Sequence, residues 1–152
     1  MIKAILFDFG QTLVDSSNGF RAAEKEAQGK IFNDLDIMEW EEFISVYRAV
    51  RREFHANSKL SRVAIWTEVY CRFSKLADTK LLEKLEQNYW EKVKAETKLF
   101  PETESVLEKL DGKYQMALIT NTQGQKMNHK HRISLFPKLE RFFKCIIVAG
   151  ES

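Results

Sequence analysis

Hydrophobic and polar positions change their period twice along the chain. Residues 3–9, KAILFDF, make a short apolar run rich in strand formers and closed by Gly10, which predicts a buried parallel strand. From about residue 18 to residue 96 the period becomes helical. Phe20, Ala23, Ala27 and Ile31 form one stripe, and Trp40, Phe43, Ile44, Tyr47 and Phe54 a second. Val63, Trp66, Tyr70 and Phe73 form a third, and Leu82, Leu85, Tyr89 and Val93 a fourth. Four helices are expected, separated by short polar breaks at residues 33–36, 56–61 and 77–79.

Beyond the helical block, Pro101 is expected to open a further helix at its first position, with Glu102 and Glu104 in the first turn and Gly112 past its end. YQMALIT at residues 114–120 predicts a strand, a polar stretch runs to Arg132, and CIIVA at residues 145–149 predicts another strand. Strand alternating with helix implies a parallel sheet with crossover helices, so the helical block is an insertion after the first strand. The fold class expected is α/β: a Rossmann-like core from residues 1–16 and 97–152, with a four-helix cap domain at 17–96.

Composition narrows the classes of partner. A chain of 152 residues with 44% hydrophobic content can bury a core, and 24 Lys plus Arg against 22 Asp plus Glu leave a charge of only +2. That balance gives no field selecting nucleic acid or anionic lipid, and no apolar run approaches the roughly 20 residues of a membrane span. A soluble, cytoplasmic protein is expected. Cys71 and Cys145 fit no metal-ligand spacing and are expected as buried, reduced thiols. Lys126, His129, Lys130, His131 and Arg132 form a basic run without interleaved aromatics, expected as a solvated helix face. Trp40, Trp66 and Trp90 are expected in the cap core.

In an open parallel sheet, ligands bind at the carboxyl ends of the strands. Asp8 and the pair Thr120–Asn121 both fall there. FDFGQTLVDS, an all-helical insertion, and then LFPETESVLEKL and QMALITNT in this order resemble the haloacid dehalogenase (HAD) superfamily, in the type whose cap follows the first strand. The resemblance implies a hydrolase, phosphatase-type, acting on a small phosphorylated substrate. Asp8 would be the nucleophile that forms a covalent aspartyl intermediate. Thr12 would brace the turn, Thr120 would bind the transferred group, and Asn121 would position substrate or loop. Mg²⁺, expected for an intact family member, would be held by the Asp8 carboxylate and the Gly10 backbone carbonyl.

Two departures qualify this picture. Family phosphatases carry a second Asp where this chain has Gly10, and Gly10 transfers no proton; general acid–base assistance is typically worth roughly 10²–10⁴-fold. The lysine and acidic residues that the family places after a segment like IIVAGES do not occur in this sequence, so this chain alone is expected to be inactive or weakly active, with Mg²⁺ binding weak or absent. Two alternatives follow. One is a non-catalytic binding module. The other is a 2-haloacid dehalogenase-like hydrolase, for which Arg48, Arg51 and Arg52 would be available as a cationic cradle. The first strand is expected at a sheet edge, where pairing with a second copy would make a homodimer.

Overall fold

The structure, a computed structural model, describes residues 1–125 and 131–150. Strand β1 (Ala4–Phe7) runs parallel to β4 (Gln115–Asn121), which runs parallel to β5 (Cys145–Ala149), in the order β1-β4-β5. Strand β1 is therefore at an edge. The fold is α/β with a Rossmann-like parallel sheet.

Along β4 burial alternates: Met116, Leu118 and Thr120 are buried, and Gln115, Ile119 and Asn121 are exposed. The buried face packs on helix α5 (Thr103–Leu110) through Leu107, and on Phe9, Ile133, Leu139 and Phe142 of the chain around it. The opposite face leaves Leu6, Ile119 and Ile147 at 65%, 43% and 50% exposure.

Four helices occupy residues 17–95: α1 (Ser17–Leu35), α2 (Trp40–Ala56), α3 (Arg62–Arg72) and α4 (Thr79–Ala95). Ala23, Ala27, Ile31 and Leu35 recur every fourth residue along α1 and face a core with Trp66, Tyr70, Leu85 and Tyr89. A Cβ on Gly19 would lie 2.9 Å from the Val93 carbonyl oxygen, so glycine lets α1 approach α4 this closely. The helix ends follow capping chemistry. Ser61 Oγ accepts from Ala64 N–H, Asp78 accepts from Lys80 and Leu81 N–H, and Asp36 at φ 51° stops α1.

Two short strands, β2 (Val14–Asp15) and β3 (Lys98–Leu99), pair antiparallel where the helical block leaves and rejoins the sheet domain. Neither is long enough to register as a period-2 pattern. Pro101 does not begin α5. It sits in a turn, and the helix starts at Thr103, whose hydroxyl donates to the Leu13 carbonyl and whose N–H donates to Phe100. The cysteines are free, as expected, but exposed rather than buried. Trp66 and Trp90 are buried, whereas Trp40 remains 39% exposed. No described helix is long and apolar enough to cross a membrane.

Candidate active site

Asp8 follows β1 directly and is exposed at the carboxyl end of the sheet. Among the described residues no hydrogen bond or ion pair engages its carboxylate. The chain then reverses tightly: the Phe9 carbonyl accepts from Thr12, Leu13 and Val14, and Gln11 takes φ 60°. With its amide oxygen turned toward α1, Gln11 accepts from the N–H groups of Ser16 (3.1 Å) and Ser17 (3.3 Å). Asp15 Oδ1 also accepts from Ser17 N–H and Oγ, which lowers its pKa. Together these groups satisfy the first turn of α1.

The two predicted residues of β4 diverge. Asn121 is exposed, and its Oδ1 accepts from Gln123 N–H at 2.9 Å, bracing the loop after the strand. Thr120 points to the buried face, at 7% exposure. Asp8 and Asn121 share the accessible end of the sheet, and Thr120 belongs to the buried face of the same strand end. Thr12 is exposed in the turn.

Arg132 is where the sequence reading most needs correction. Instead of lying on a solvated helix face, it is 2% exposed at the start of a 3₁₀ turn, Arg132–Leu135. Residues 126–130, the rest of that basic run, lie outside the described residues. The guanidinium packs over Phe9 and Phe20, at 5.7 and 5.1 Å from the ring centroids. Its Nη1 donates to Ser16 Oγ at 2.6 Å, and Nη2 lies 3.3 Å from where a Cβ on Gly10 would be. The space left by the missing side chain at position 10 is thus bounded by a cation. Burial pulls the Arg132 pKa down to about 10 and the charge of Asp8 opposes that fall, so the group stays protonated at neutral pH.

Behind Arg132 runs a directed chain of hydrogen bonds. Thr97 Oγ1 donates to the Val93 carbonyl at 2.7 Å, so the Ser16 hydroxyl, accepting from Arg132, donates to Thr97 Oγ1 at 2.9 Å. Ser16 and Thr97 lie on the two segments that join the helical block to the sheet domain. Arg132 therefore ties both connections to the turn after β1. A buried arginine in a basic, polar stretch carries no periodic signal; the one clue was the gap that Gly10 leaves in a site otherwise dense with side chains.

The residues present are a poor fit to Mg²⁺. Asp8 and the Gly10 carbonyl supply oxygens, but no group of three or more acidic, His or Cys side chains converges among the described residues, and the Arg132 guanidinium stands beside Gly10.

Two cavities are lined jointly by residues of the helical block and of the loop after β4. One of about 390 Å³ is lined by His55, Leu60, Asn121, Gln123 and Gly150, among others. The other, of about 380 Å³, lies against Phe20, Glu24, Arg51, His55, Arg62 and Gln123. Arg51 faces this cavity; Arg48 and Arg52 line further hollows on the outer side of α2. The helical block meets the loop after β4 closely here, since a Cβ on Gly124 would lie 1.9 Å from the Leu60 carbonyl oxygen.

A parallel α/β sheet with an exposed carboxylate at the carboxyl end of β1, and a four-helix segment inserted between β1 and β4, sets the class of fold. The family model for haloacid dehalogenase-like hydrolases matches residues 2–151, and the chain belongs to that family. Similar solved structures include a HAD-hydrolase of Bacillus subtilis bound to magnesium, at 22% identity and a TM-score of 0.53, matching 97% of this chain and 63% of that one. A 2-haloacid dehalogenase of Pseudomonas syringae matches at 19% identity and 0.53, over 97% of this chain and 64% of its own. A Thermotoga maritima protein designated β-phosphoglucomutase matches at 15% and 0.62, over 97% and 61%. At these identities the likeness is one of fold, and the chain spans less than two thirds of each relative. No curated protein matches the sequence.

Proposed function

We propose that the chain carries the nucleophile of a phosphate-ester hydrolase acting on a small phosphorylated substrate. The observation that supports this best is Asp8: an exposed carboxylate at the carboxyl end of β1 that no described side chain hydrogen-bonds or ion-pairs. An Asp8 oxygen would attack phosphorus as the bond to the leaving oxygen breaks, and water would then hydrolyse the aspartyl phosphate. Asn121 braces the loop that faces the incoming group, and Thr120 supports the strand from the packed side.

Gly10 offers no proton to the leaving oxygen, so that proton comes from water, and substrates with good leaving groups are favoured. Arg132, buried behind Gly10, places positive charge near the developing negative charge. The cap excludes bulk water from the crevice and selects the substrate.

A second reading, a binding module with the fold but without turnover, is favoured by one observation: a cation fills the ground where a general acid would stand. A panel of phosphate esters and 2-haloacids, with and without Mg²⁺, tests both readings on this chain and on any longer form. Turnover abolished by Asp8→Asn supports the hydrolase. A longer form that turns nothing over supports the module, and turnover of 2-haloacids alone would replace the phosphatase reading with dehalogenation.

A further inference from the structure

The cavity of about 380 Å³ has a composition that the attack by Asp8 does not use. Arg21, Lys25, Arg51 and Arg62 line it, against the single carboxylate of Glu24. That carboxylate is already occupied: it accepts from Tyr47 and Tyr89 hydroxyls at 3.0 and 3.2 Å, and Arg51 Nη1 lies 3.6 Å away.

Arg62 carries the argument. It is 4% exposed, yet no carboxylate forms an ion pair with it among the described residues. Its Nη1 donates to the Leu60 carbonyl at 2.7 Å, its Cζ lies 5.1 Å from the Tyr89 ring centroid, and its Nε has no partner among the described residues. Burying a guanidinium costs several kcal/mol unless an opposite charge compensates it; the Tyr89 hydroxyl and the more distant Glu24 carboxylate offset that cost at Arg62 and keep it protonated, and Glu24 is one carboxylate shared among four cations. The cavity wall therefore holds an excess of positive charge, part of it desolvated, beside a void large enough for a small ligand. His55 stands where this cavity meets the one lined by Asn121 and Gln123, and burial and the charges of Arg51 and Arg62 hold it mostly neutral. Through His55 and Gln123 the charged site adjoins the cavity that Asn121 lines at the end of β4.

We propose that this cavity binds a second oxyanion group of the substrate, a carboxylate or a further phosphate, remote from the bond that breaks. The substrate class is then a phosphorylated acid or a bis-phosphorylated small molecule rather than a neutral phosphomonoester. The identity of the cleaved group rests on the hydrolase reading above; the anion site does not.

The probe is inorganic phosphate, titrated at constant ionic strength into the full 152-residue chain while the His55 ring resonances are followed by NMR, assigned through His55→Gln. Saturable displacement of His55 is expected, with a rise in its pKa as the anion favours the imidazolium. Arg51→Gln and Arg21→Gln, both at accessible positions, should each weaken phosphate binding at least about fivefold, the loss of one charge-assisted contact. A response to phosphate no different from that to chloride, or affinities unchanged in both variants, overturns the proposal.

Turnover separates it from the hydrolase reading. Esters bearing a second acid group should lose kcat/KM in Arg51→Gln about tenfold more than neutral monoesters. Equal losses, with Asp8→Asn still inactive, sink the anion site and keep the hydrolase. Persistent phosphate binding at His55 with turnover indifferent to Asp8→Asn does the reverse.

Discussion

Replacing Ser16 by alanine removes one oxygen and should cost far more than its size suggests. Ser16 is fully buried and is the one acceptor of a hydrogen bond from Arg132 among the described residues. The truncation leaves the Nη1 N–H of a buried guanidinium without its acceptor, worth roughly 1.5–3 kcal/mol for a bond to a charged group. It also removes the neutral bond to Thr97, worth about 0.5–1.5 kcal/mol, while Thr97 keeps its own bond to Val93. The sum, about 2–4.5 kcal/mol, corresponds to a fall in Tm of roughly 4–18 °C for a chain of this size. Thermal melts of wild type, Ser16→Ala, Arg132→Met and the double variant form a cycle. Arg132→Met relieves the desolvation of a charge as it loses the contact, so Ser16→Ala should cost about 1–3 kcal/mol less in that background than in wild type. A Ser16→Ala melt within 2 °C of wild type, or strict additivity, would refute the hydrogen-bond chain from Arg132 to Val93.

Gly124→Ala should destabilise the chain and loosen the contact between cap and sheet domain. The residue has φ 82° and its new Cβ would sit 1.9 Å from the Leu60 oxygen; faster amide hydrogen exchange around Ser61 and a lower Tm are expected, and neither changing would contradict the close approach. His131, whose pKa burial and the Arg132 charge lower to about 4 from 6.5, remains neutral in the folded chain where the unfolded chain takes up a proton. Its contribution to stability is unaffected above about pH 6.5, declines as pH falls through that value, and bottoms out below about pH 4, a loss on the order of 2 kcal/mol. Urea midpoints of His131→Gln that track wild type across this window would exclude it. The β1 edge and the exposed Leu6, Ile119 and Ile147 beside it are expected to bring copies together, with Leu6→Lys shifting the weight-average mass downward; a dilute wild-type monomer by light scattering removes that expectation.

Features that repeat locally could be read from the sequence. Ala23, Ala27 and Ile31 are spaced for one helix face, and that face is buried; CIIVA is a strand over residues 145–149, and β1 stands at the edge. Asp8 and Asn121 meet at one sheet end because strand direction alone brings them there. What escaped the sequence depends on partners far away in the chain. Thr103 delays α5 because its groups bond to Leu13 and Phe100, and the two-residue strands β2 and β3 pair across the whole of residues 16–97. Cys71 and Cys145 fall on exposed faces that no described residue covers.

The same distinction bears on the chemistry at Gly10. Sequence identifies a lost proton donor there, which argues against any mechanism needing an acid beside Asp8. Packing adds that the adjoining space belongs to a buried cation, so an acid restored at that position would meet Arg132 and ionise. Gly10→Asp alone would therefore yield a bound carboxylate in place of a proton donor, and a gain in leaving-group protonation would require Arg132 to be replaced as well. The two positions constrain one another, and neither can be interpreted as a catalytic gain or loss without the other.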